Sequence, residues 1–204
     1  MGRRNRGNIL FDGCWAHIIS RAADKRYIFE STEDFEMFKT LLKESKSKSS
    51  YRIHHYCLMH THFHLAVSMD RAEDFSEAIR WLKMSYSKYF NFKMKRFGPL
   101  WRDRFKSLVI EDERYLFACG RYIEGNPVEA GLVKHGTDWP YSSSRHYELG
   151  QIDDLVDSYG YGGEPVIVET ESSGKFFTEG HAIGSNLFKI YCQEQSLQME
   201  PVPR

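Results

Sequence analysis

The stretch His54–Asp70, "HHYCLMHTHFHLAVSMD", decides how this chain is expected to fold. It places five of the chain's nine histidines within eleven residues. Two extended apolar runs, "YRIHHYCLM" and "HFHLAVSM", are joined tightly near His60 and Thr61, which predicts a β-hairpin. Since side chains alternate along a strand, Phe63, Leu65, Val67 and Met69 form a core face. His62 and His64 then lie side by side on the opposite face, with Ala66 and Ser68.

The segments around this hairpin predict a simple order of elements. A strand at Cys14–Ala22 and a helix capped by Ser31 precede it, and that helix is expected to end in the polar "KESKSKSS". A long helix, ended by Gly98 and Pro99, follows it. A strand at Phe105–Ile110 and a helix from Glu111 to the "GNP" at Gly125–Pro127 complete the pattern. This order predicts an α+β fold of the split βαβ, ferredoxin-like kind, with an antiparallel sheet and helices on one face.

Composition bounds the class of protein. The 204 residues, 41% hydrophobic and 15% aromatic, are typical of a folded chain, here divided into a domain at 1–147 and an acidic, partly irregular extension at 148–204. No apolar run is long enough to predict a membrane span, and the basic N-terminus lacks the apolar core of a secretory signal. Four scattered cysteines without a CxxC pair favour a reduced, cytoplasmic protein.

The balanced net charge of zero conceals an uneven distribution. Nine Lys and Arg residues and one acid, Asp103, lie between Arg80 and Lys106, whereas nine acids and three bases lie between Gly150 and Arg204. Aromatic residues interleave with the basic ones from Trp81 to Trp101. A basic surface with aromatic rings suits single-stranded nucleic acid, although a solvated helix face gives the same pattern.

The pair His62 and His64 has the spacing of two metal ligands. Two neutral imidazoles side by side on a strand can bind one divalent ion, provided that a third polar ligand comes from elsewhere. The alternative is that both rings are satisfied by hydrogen bonds. His60 is expected in the turn, and His54 and His55 on the partner strand with opposite orientations; a structural role is favoured for these three.

The last predicted helix carries a second candidate pair, Tyr122 and Asn126. Four residues apart, they lie on one helical face. A tyrosine is a possible nucleophile, and a carboxamide oxygen suits a hard cation. Tyr115 lies on nearly the same side and is a rival nucleophile, and either tyrosine has packing as its alternative role.

The motifs "YCLMHTHFHL", "LWRDRFKS" and "RYIEGNPVEAGLV" together resemble the single-tyrosine HUH transposases, and more narrowly the REP-associated tyrosine transposases. The resemblance runs from about Cys14 to Val133. It implies that His62 and His64 bind metal, that Tyr122 is the nucleophile, and that Asn126 completes the metal site. Two positions depart from the family pattern: His60-Thr61 stands where relatives carry Pro-Asn or Thr-Asn, and Glu129 stands where many carry Arg.

The resemblance also implies a cofactor and a partner. The activity would be cleavage and rejoining of single-stranded DNA near hairpins, with Mg²⁺ or Mn²⁺ and a 5′-phosphotyrosine intermediate. The resemblance favours a monomer, with a dimer as the alternative. Nucleic-acid contacts are predicted for the basic residues Arg3, Arg4, Arg6, Arg80, Lys83, Lys88, Arg102, Arg104 and Lys106. Two other functions stay open: a domesticated module that binds DNA or RNA hairpins without cutting, and an unrelated metal hydrolase using the histidine pair.

Overall fold

The computed structural model describes residues 10–157 and 182–183. Arg3, Arg4, Arg6 and most of the predicted acidic extension lie outside these residues. The described strands are β1 (Trp15–Arg21), β2 (Tyr51–Met59), β3 (His62–Met69), β4 (Lys106–Ile110) and β5 (Ala182–Ile183). The described helices are α1 (Thr32–Ser47), α2 (Ala72–Lys93), α3 (Glu113–Glu129) and α4 (Ser144–Leu149), with short 3-10 turns at Ala23–Lys25 and Gly136–Asp138.

The sheet places β1 at its centre. The strand order is β2-β3-β1-β4-β5, in which the first four strands are antiparallel and the two-residue β5 runs parallel to β4. Ile19 of β1 lies between His64 of β3 and Lys106 of β4, and Arg21 lies opposite His62. The predicted α+β fold with its hairpin is confirmed.

Helices cover the two faces of the sheet differently. Phe38 of α1 packs on the core face, with its ring centre 5.0 Å from that of Phe63, and α2 packs beside α1. The sequence predicts helices on this face alone, and α3 departs from that prediction. The helix α3 crosses the other face, where its Tyr122 ring lies 6.3 Å from the ring of His64. The histidine side of β3 is therefore covered by a helix.

The helix α1 begins as predicted and ends later. Ser31 is its N-cap, and Asp34 completes a capping box. The helix continues to Ser47 through the polar segment because its lysines have partners: Lys43 and Lys46 form ion pairs with Asp154 and Asp157. Asp157 also joins the edge of β2, since its backbone N–H donates to Ile53 O and its carboxylate accepts from Ile53 N.

The predicted end of α3 at Gly125–Pro127 is wrong, since the helix runs through Pro127 to Glu129. Pro127 has no N–H, so the carbonyl of Ile123 lacks its usual donor. The side-chain amide of Asn126 takes that place: its Nδ2 donates to Ile123 O at 3.1 Å and to Tyr122 O at 2.9 Å. The proline is therefore accommodated by the residue before it.

A β-bulge at His54 changes the orientation predicted for two histidines. Ile53 pairs with Val67 and the next paired residue, His55, with Ala66, so His54 is the extra residue. His54 Nε2 lies 2.8 Å from Ser68 Oγ, and His55 Nδ1 lies 2.8 Å from Glu124 of α3. Both rings therefore lie on the α3 side, rather than on opposite faces.

Within the described residues, no helix combines the length and the apolar character that crossing a membrane requires.

Candidate active site

His62 and His64 lie on the α3 face of β3, with ring centres 5.0 Å apart. The Nδ1 atom of each ring has an orienting partner. For His62 the partner is Thr61 Oγ1, at 2.9 Å, and for His64 it is Nε2 of His17, at 2.8 Å. The Nε2 atom of His64 is buried and has no hydrogen-bond partner among the described residues. A buried lone pair of this kind fits a metal ligand.

Burial keeps these imidazoles neutral. It lowers the pKa of His62 to about 4 and that of His17 to about 3, and it holds the pKa of His64 well below its usual value. The nearby guanidinium of Arg21 lowers the pKa of His62 and His64 further. Since only the neutral ring binds a cation, the pair is in the ligand form at neutral pH.

His17 on β1 is a site residue that the sequence reasoning missed. Its ring stacks on His64 at 5.1 Å between ring centres and is fully buried. When His64 donates its Nδ1–H to His17 Nε2, the lone pair of His64 points outward on its own Nε2. The signal was present in the alternation of "WAHIISR", which turns His17 to the same face as Ile19, the partner of His64.

The donor set suits Mg²⁺ or Mn²⁺ only if oxygen atoms complete it. Among residues 10–157 and 182–183, no cluster of three or more His, Cys, Asp or Glu side chains is arranged to hold a metal ion. If an ion binds here, the two histidines would supply two nitrogens, and the remaining ligands would be a carboxamide oxygen, water or the oxygens of a bound phosphate.

Tyr122 of α3 reaches the same face of the sheet as the histidines. Its half-buried ring meets those of His17 and His64 edge-on, at centre distances of 6.1 and 6.3 Å. Burial raises the pKa of its phenol, Glu129 and Cys119 raise it further, and Arg21 lowers it. Tyr115, two turns earlier, is partly buried against the core, and the described ring contacts include none between it and these histidines.

Asn126 lies one turn beyond Tyr122, as predicted, but it is occupied with its own helix. Its amide nitrogen donates to two backbone carbonyls, and no hydrogen bond joins it to His62 or His64 in the described part of the chain. Because Nδ2 donates to these carbonyls, Oδ1 is the side-chain atom that could bind a cation.

Two exposed cations lie beside the histidine pair, both on the β1 side of β3. Arg21 lies directly across the ladder from His62, and Lys106 projects from β4 on the same face, one strand beyond Ile19. The sequence predicted Lys106 as a nucleic-acid contact and missed Arg21, because only the strand pairing brings Arg21 to the site.

The other predicted nucleic-acid contacts divide into exposed and buried side chains. Lys88, Arg102 and Arg104 are exposed, and Arg80 is exposed beside Glu77. The prediction for Lys83 is wrong: its side chain is buried, its ammonium donates to Asp103 O at 2.8 Å, and it lies 5.2 Å from the Trp101 ring centre. Burial lowers the pKa of Lys83 to about 8. It holds the loop that carries Arg102 and Arg104.

The aromatic residues of this region divide in the same way. Tyr86 and Phe90 belong to the core, whereas Phe92 and Phe97 are 88% and 96% exposed. These two rings lie among exposed basic residues at the end of α2 and in the following loop, where they are accessible to a flat ligand such as an unpaired base.

Comparison with known proteins identifies the family. The model of the IS200-like transposases matches residues 11–126, which is more than half of the chain. A solved structure of a REP-associated tyrosine transposase bound to a REP hairpin has 22% sequence identity and a TM-score of 0.56, and the match covers 78% of this chain and 95% of that one. At this identity the likeness confirms the fold alone.

A second solved structure, a candidate transposase from Deinococcus radiodurans R1, has 15% identity and a TM-score of 0.41, with 61% of this chain and 97% of that chain covered. No curated protein matches the chain. The family model spans both the histidine pair and Tyr122–Asn126. The chain therefore belongs to the IS200-like transposase family.

Proposed function

We propose that the protein is a metal-dependent single-stranded DNA transesterase that cleaves and rejoins DNA near hairpins through a 5′-phosphotyrosine on Tyr122. The observation that supports this most strongly is the convergence of Tyr122 and His64, whose rings lie 6.3 Å apart although 58 positions separate them in the chain. Together they are a nucleophile beside a phosphate-binding cation site.

His62 and His64, with Oδ1 of Asn126, would hold Mg²⁺ or Mn²⁺. When bound, this ion would supply Lewis-acid polarisation of the scissile phosphate. Thr61 and His17 keep the two rings in the ligand orientation. Arg21 and Lys106, both on the β1 side of the histidine strand, would bind phosphates next to the scissile one.

Tyr122 Oη then attacks the phosphorus in line with the 3′ oxygen. The O–P bond to tyrosine forms and the P–O3′ bond breaks. The phenolic proton leaves to solvent, and the departing 3′ oxygen takes a proton from solvent to become a hydroxyl. Attack of a 3′-hydroxyl on the phosphotyrosine reverses these bonds, so rejoining needs no external energy source. Because burial raises the pKa of Tyr122, deprotonation is a costly part of the step, and the positive charge of Arg21 favours it.

The proposed partner is single-stranded DNA that carries a hairpin. The solved REP-associated transposase is bound to a REP hairpin, and this chain shares its fold. We also propose that the protein acts as a monomer, since one chain contributes both the histidine pair and the adjacent tyrosine.

The test is incubation of the protein with end-labelled single-stranded hairpin DNA and Mn²⁺, followed by a denaturing gel. We expect a protein–DNA adduct for the wild type and for Tyr115→Phe, and none for Tyr122→Phe. An adduct that survives in Tyr122→Phe and disappears in Tyr115→Phe would assign the chemistry to Tyr115. Binding without an adduct would favour a non-cleaving hairpin-binding module, and cleavage without an adduct would favour a metal hydrolase.

A further inference from the structure

A buried polar contact outside the site joins α3 to the sheet. His55 of β2 is 2% exposed, and its Nδ1 lies 2.8 Å from Oε1 of Glu124, which is itself buried. The hydroxyl of Ser143, also buried, donates to the same carboxylate oxygen at 2.6 Å. Glu124 is thus held from two sides, by the sheet and by the segment that leads into α4.

The imidazole of His55 also packs against the backbone of Gly120, which lies one turn before Glu124, through the ring edge remote from Nδ1. A Cβ atom built on Gly120 would lie 2.3–2.4 Å from Cε1, Nε2 and Cδ2 of His55, closer than such atoms approach. Tyr147 of α4 stacks on the ring, with centres 4.4 Å apart. His55 therefore fits a notch in α3 that only glycine provides, with a hydrogen bond on one side and an aromatic ring on its face.

The helical positions of these residues connect the contact to Tyr122. At about 100° per residue, Gly120 and Glu124 lie about 40° apart around the helix axis, whereas Tyr122 lies about 160° from Glu124. The fully buried residues Leu116, Cys119 and Ile123 lie between them. The His55 contact and Tyr122 therefore occupy the two edges of the buried face, one over β2 and one beside His17 and His64.

We propose that His55, Gly120 and Glu124 position the nucleophile: their contact sets the rotation of α3 about its axis and thereby the approach of Tyr122 to the histidine pair. A helix held at one edge cannot roll without moving its other edge, so release of the contact displaces the phenol. None of the three residues touches the reacting atoms. The inference rests on the proposed function, since it assigns a role toward the same tyrosine.

The first test is Gly120→Ala. Alanine favours a helix over glycine, so without the close approach of His55 the change would stabilise α3. We expect instead that adduct formation at saturating hairpin DNA and Mn²⁺ slows by about 10- to 100-fold, because small displacements of a reacting group cost that much. The DNA concentration that gives half-maximal rate should stay within about twofold, since the basic surface is unchanged.

A double variant supplies the control for the clash. His55→Ala removes the ring that the new methyl group meets, so Gly120→Ala should cause little further loss in that background. If the two losses instead multiply, the notch is not the cause and the proposal is overturned. Glu124→Gln keeps an acceptor oxygen for His55 and Ser143 and should retain most of the rate, whereas Glu124→Ala should lose it.

The variant Leu42→Ala distinguishes the proposed positioning of Tyr122 from a loss of stability alone. This residue is fully buried in α1 on the other face of the sheet. Assayed well below its melting temperature, Leu42→Ala should form the adduct at the wild-type rate although it is less stable. Equal slowing in Leu42→Ala and Glu124→Ala would overturn the proposal. A wild type that forms no adduct would contradict the proposed function instead, while wild-type rates in Gly120→Ala and Glu124→Ala would contradict only this inference.

Discussion

The hydrogen bond between His17 and His64 decides which nitrogen of His64 is available. If His64 carries its proton on Nδ1, it donates to His17 and leaves a lone pair on Nε2; if His17 donates, Nε2 of His64 carries the proton and cannot bind an ion. His17 is fully buried, and its low pKa excludes a charged form near neutral pH. A cation bound at the proposed site would select the first arrangement, and His17 would then act on that site through His64.

The replacement His17→Ala should weaken Mn²⁺ binding by about 10- to 100-fold, because an orienting partner of a ligand histidine is worth that much. Isothermal titration calorimetry of the protein without DNA measures this directly. His146→Ala, which removes a partly exposed histidine of α4, is the matched control and should bind like the wild type. Unchanged affinity in His17→Ala would show that His64 is oriented without it.

The charges around Tyr122 predict the pH dependence of adduct formation. In the proposed mechanism the phenol must lose its proton, so the rate should rise with pH, and a raised pKa should move this rise to higher pH. Burial raises the pKa of Tyr122, and Glu129 raises it further. We therefore expect Glu129→Gln to move the rise to lower pH and Arg21→Gln to move it to higher pH, measured as single-turnover rate against pH at low ionic strength. Shifts of the same sign in both variants would contradict this account.

The placement of a site residue could be predicted from the sequence where strand alternation or helical spacing alone determines it. Alternation along "HFHLAVSM" puts His62 and His64 together, and helical spacing puts Asn126 one turn from Tyr122. His17 and Arg21 could not be found in this way, because they reach the site through pairing between strands that are distant in the chain. Lys83 was misassigned because its burial depends on Trp101 and the carbonyl of Asp103, which no local pattern reveals.

Among the elements, α1 depends on a single buried carboxylate at its first turn. Asp34 is 1% exposed and accepts hydrogen bonds from Lys93, Tyr89 and the backbone N–H groups of Glu30 and Ser31. Burial alone would raise the pKa of Asp34, but these donors outweigh it and hold the pKa below its usual value. The carboxylate thus ties the start of α1 to the end of α2.

Asp34→Asn should lower the free energy of unfolding by about 1–3 kcal/mol at neutral pH, since charge-assisted hydrogen bonds are lost. Because the folded pKa is depressed, this contribution is present above the unfolded pKa of about 4 and is lost as pH falls through the folded value. Urea denaturation of both proteins from pH 7 to pH 2.5 should therefore show the difference shrinking at the acid end. A difference that grows on acidification would contradict the assignment.

The persistence of α3 through Pro127 has its own test. In the wild type, Asn126→Ala removes the only side-chain donor described for Ile123 O and should cost about 1–3 kcal/mol. In a Pro127→Ala background the backbone N–H of residue 127 serves that carbonyl, so the same replacement should cost clearly less. Thermal unfolding of the four proteins measures the difference, and equal costs in both backgrounds would show that the amide does not compensate for the proline.

The helices and strands could be predicted from the period of the hydrophobic residues and from capping residues. The end of α3 and the bulge in β2 could not. A proline normally ends a helix, and the compensation by Asn126 depends on a side-chain rotamer that sequence spacing does not specify. The bulge at His54 inserts one residue into an otherwise regular alternation, so the period that correctly assigns β3 misassigns His54 relative to His55 on β2.

On the scale of the whole molecule, the exposed aromatic rings and cations at the end of α2 predict a path for unpaired DNA. Phe97→Ala should weaken binding of a single-stranded oligonucleotide by about 1–3 kcal/mol, the usual loss for one stacked base. Lys88→Gln should instead reduce the slope of log affinity against log salt by about 0.7. Fluorescence anisotropy at several salt concentrations distinguishes the two effects. Ile152→Ala, which removes a side chain that is 97% exposed, is the control for loss of apolar surface.

The central place of β1 has a consequence for the growing polypeptide. The strand made first needs β3 on one edge and β4 on the other, and β4 ends only at Ile110. During synthesis both hydrogen-bonding edges of Trp15–Arg21 stay open until β3 is complete at Met69, and the edge that β4 covers stays open until Ile110. Open strand edges pair readily with other chains. Ribosome-bound intermediates that stop short of Ile110 should therefore be the species that chaperones retain, and slow translation before that point should lower the yield of soluble protein.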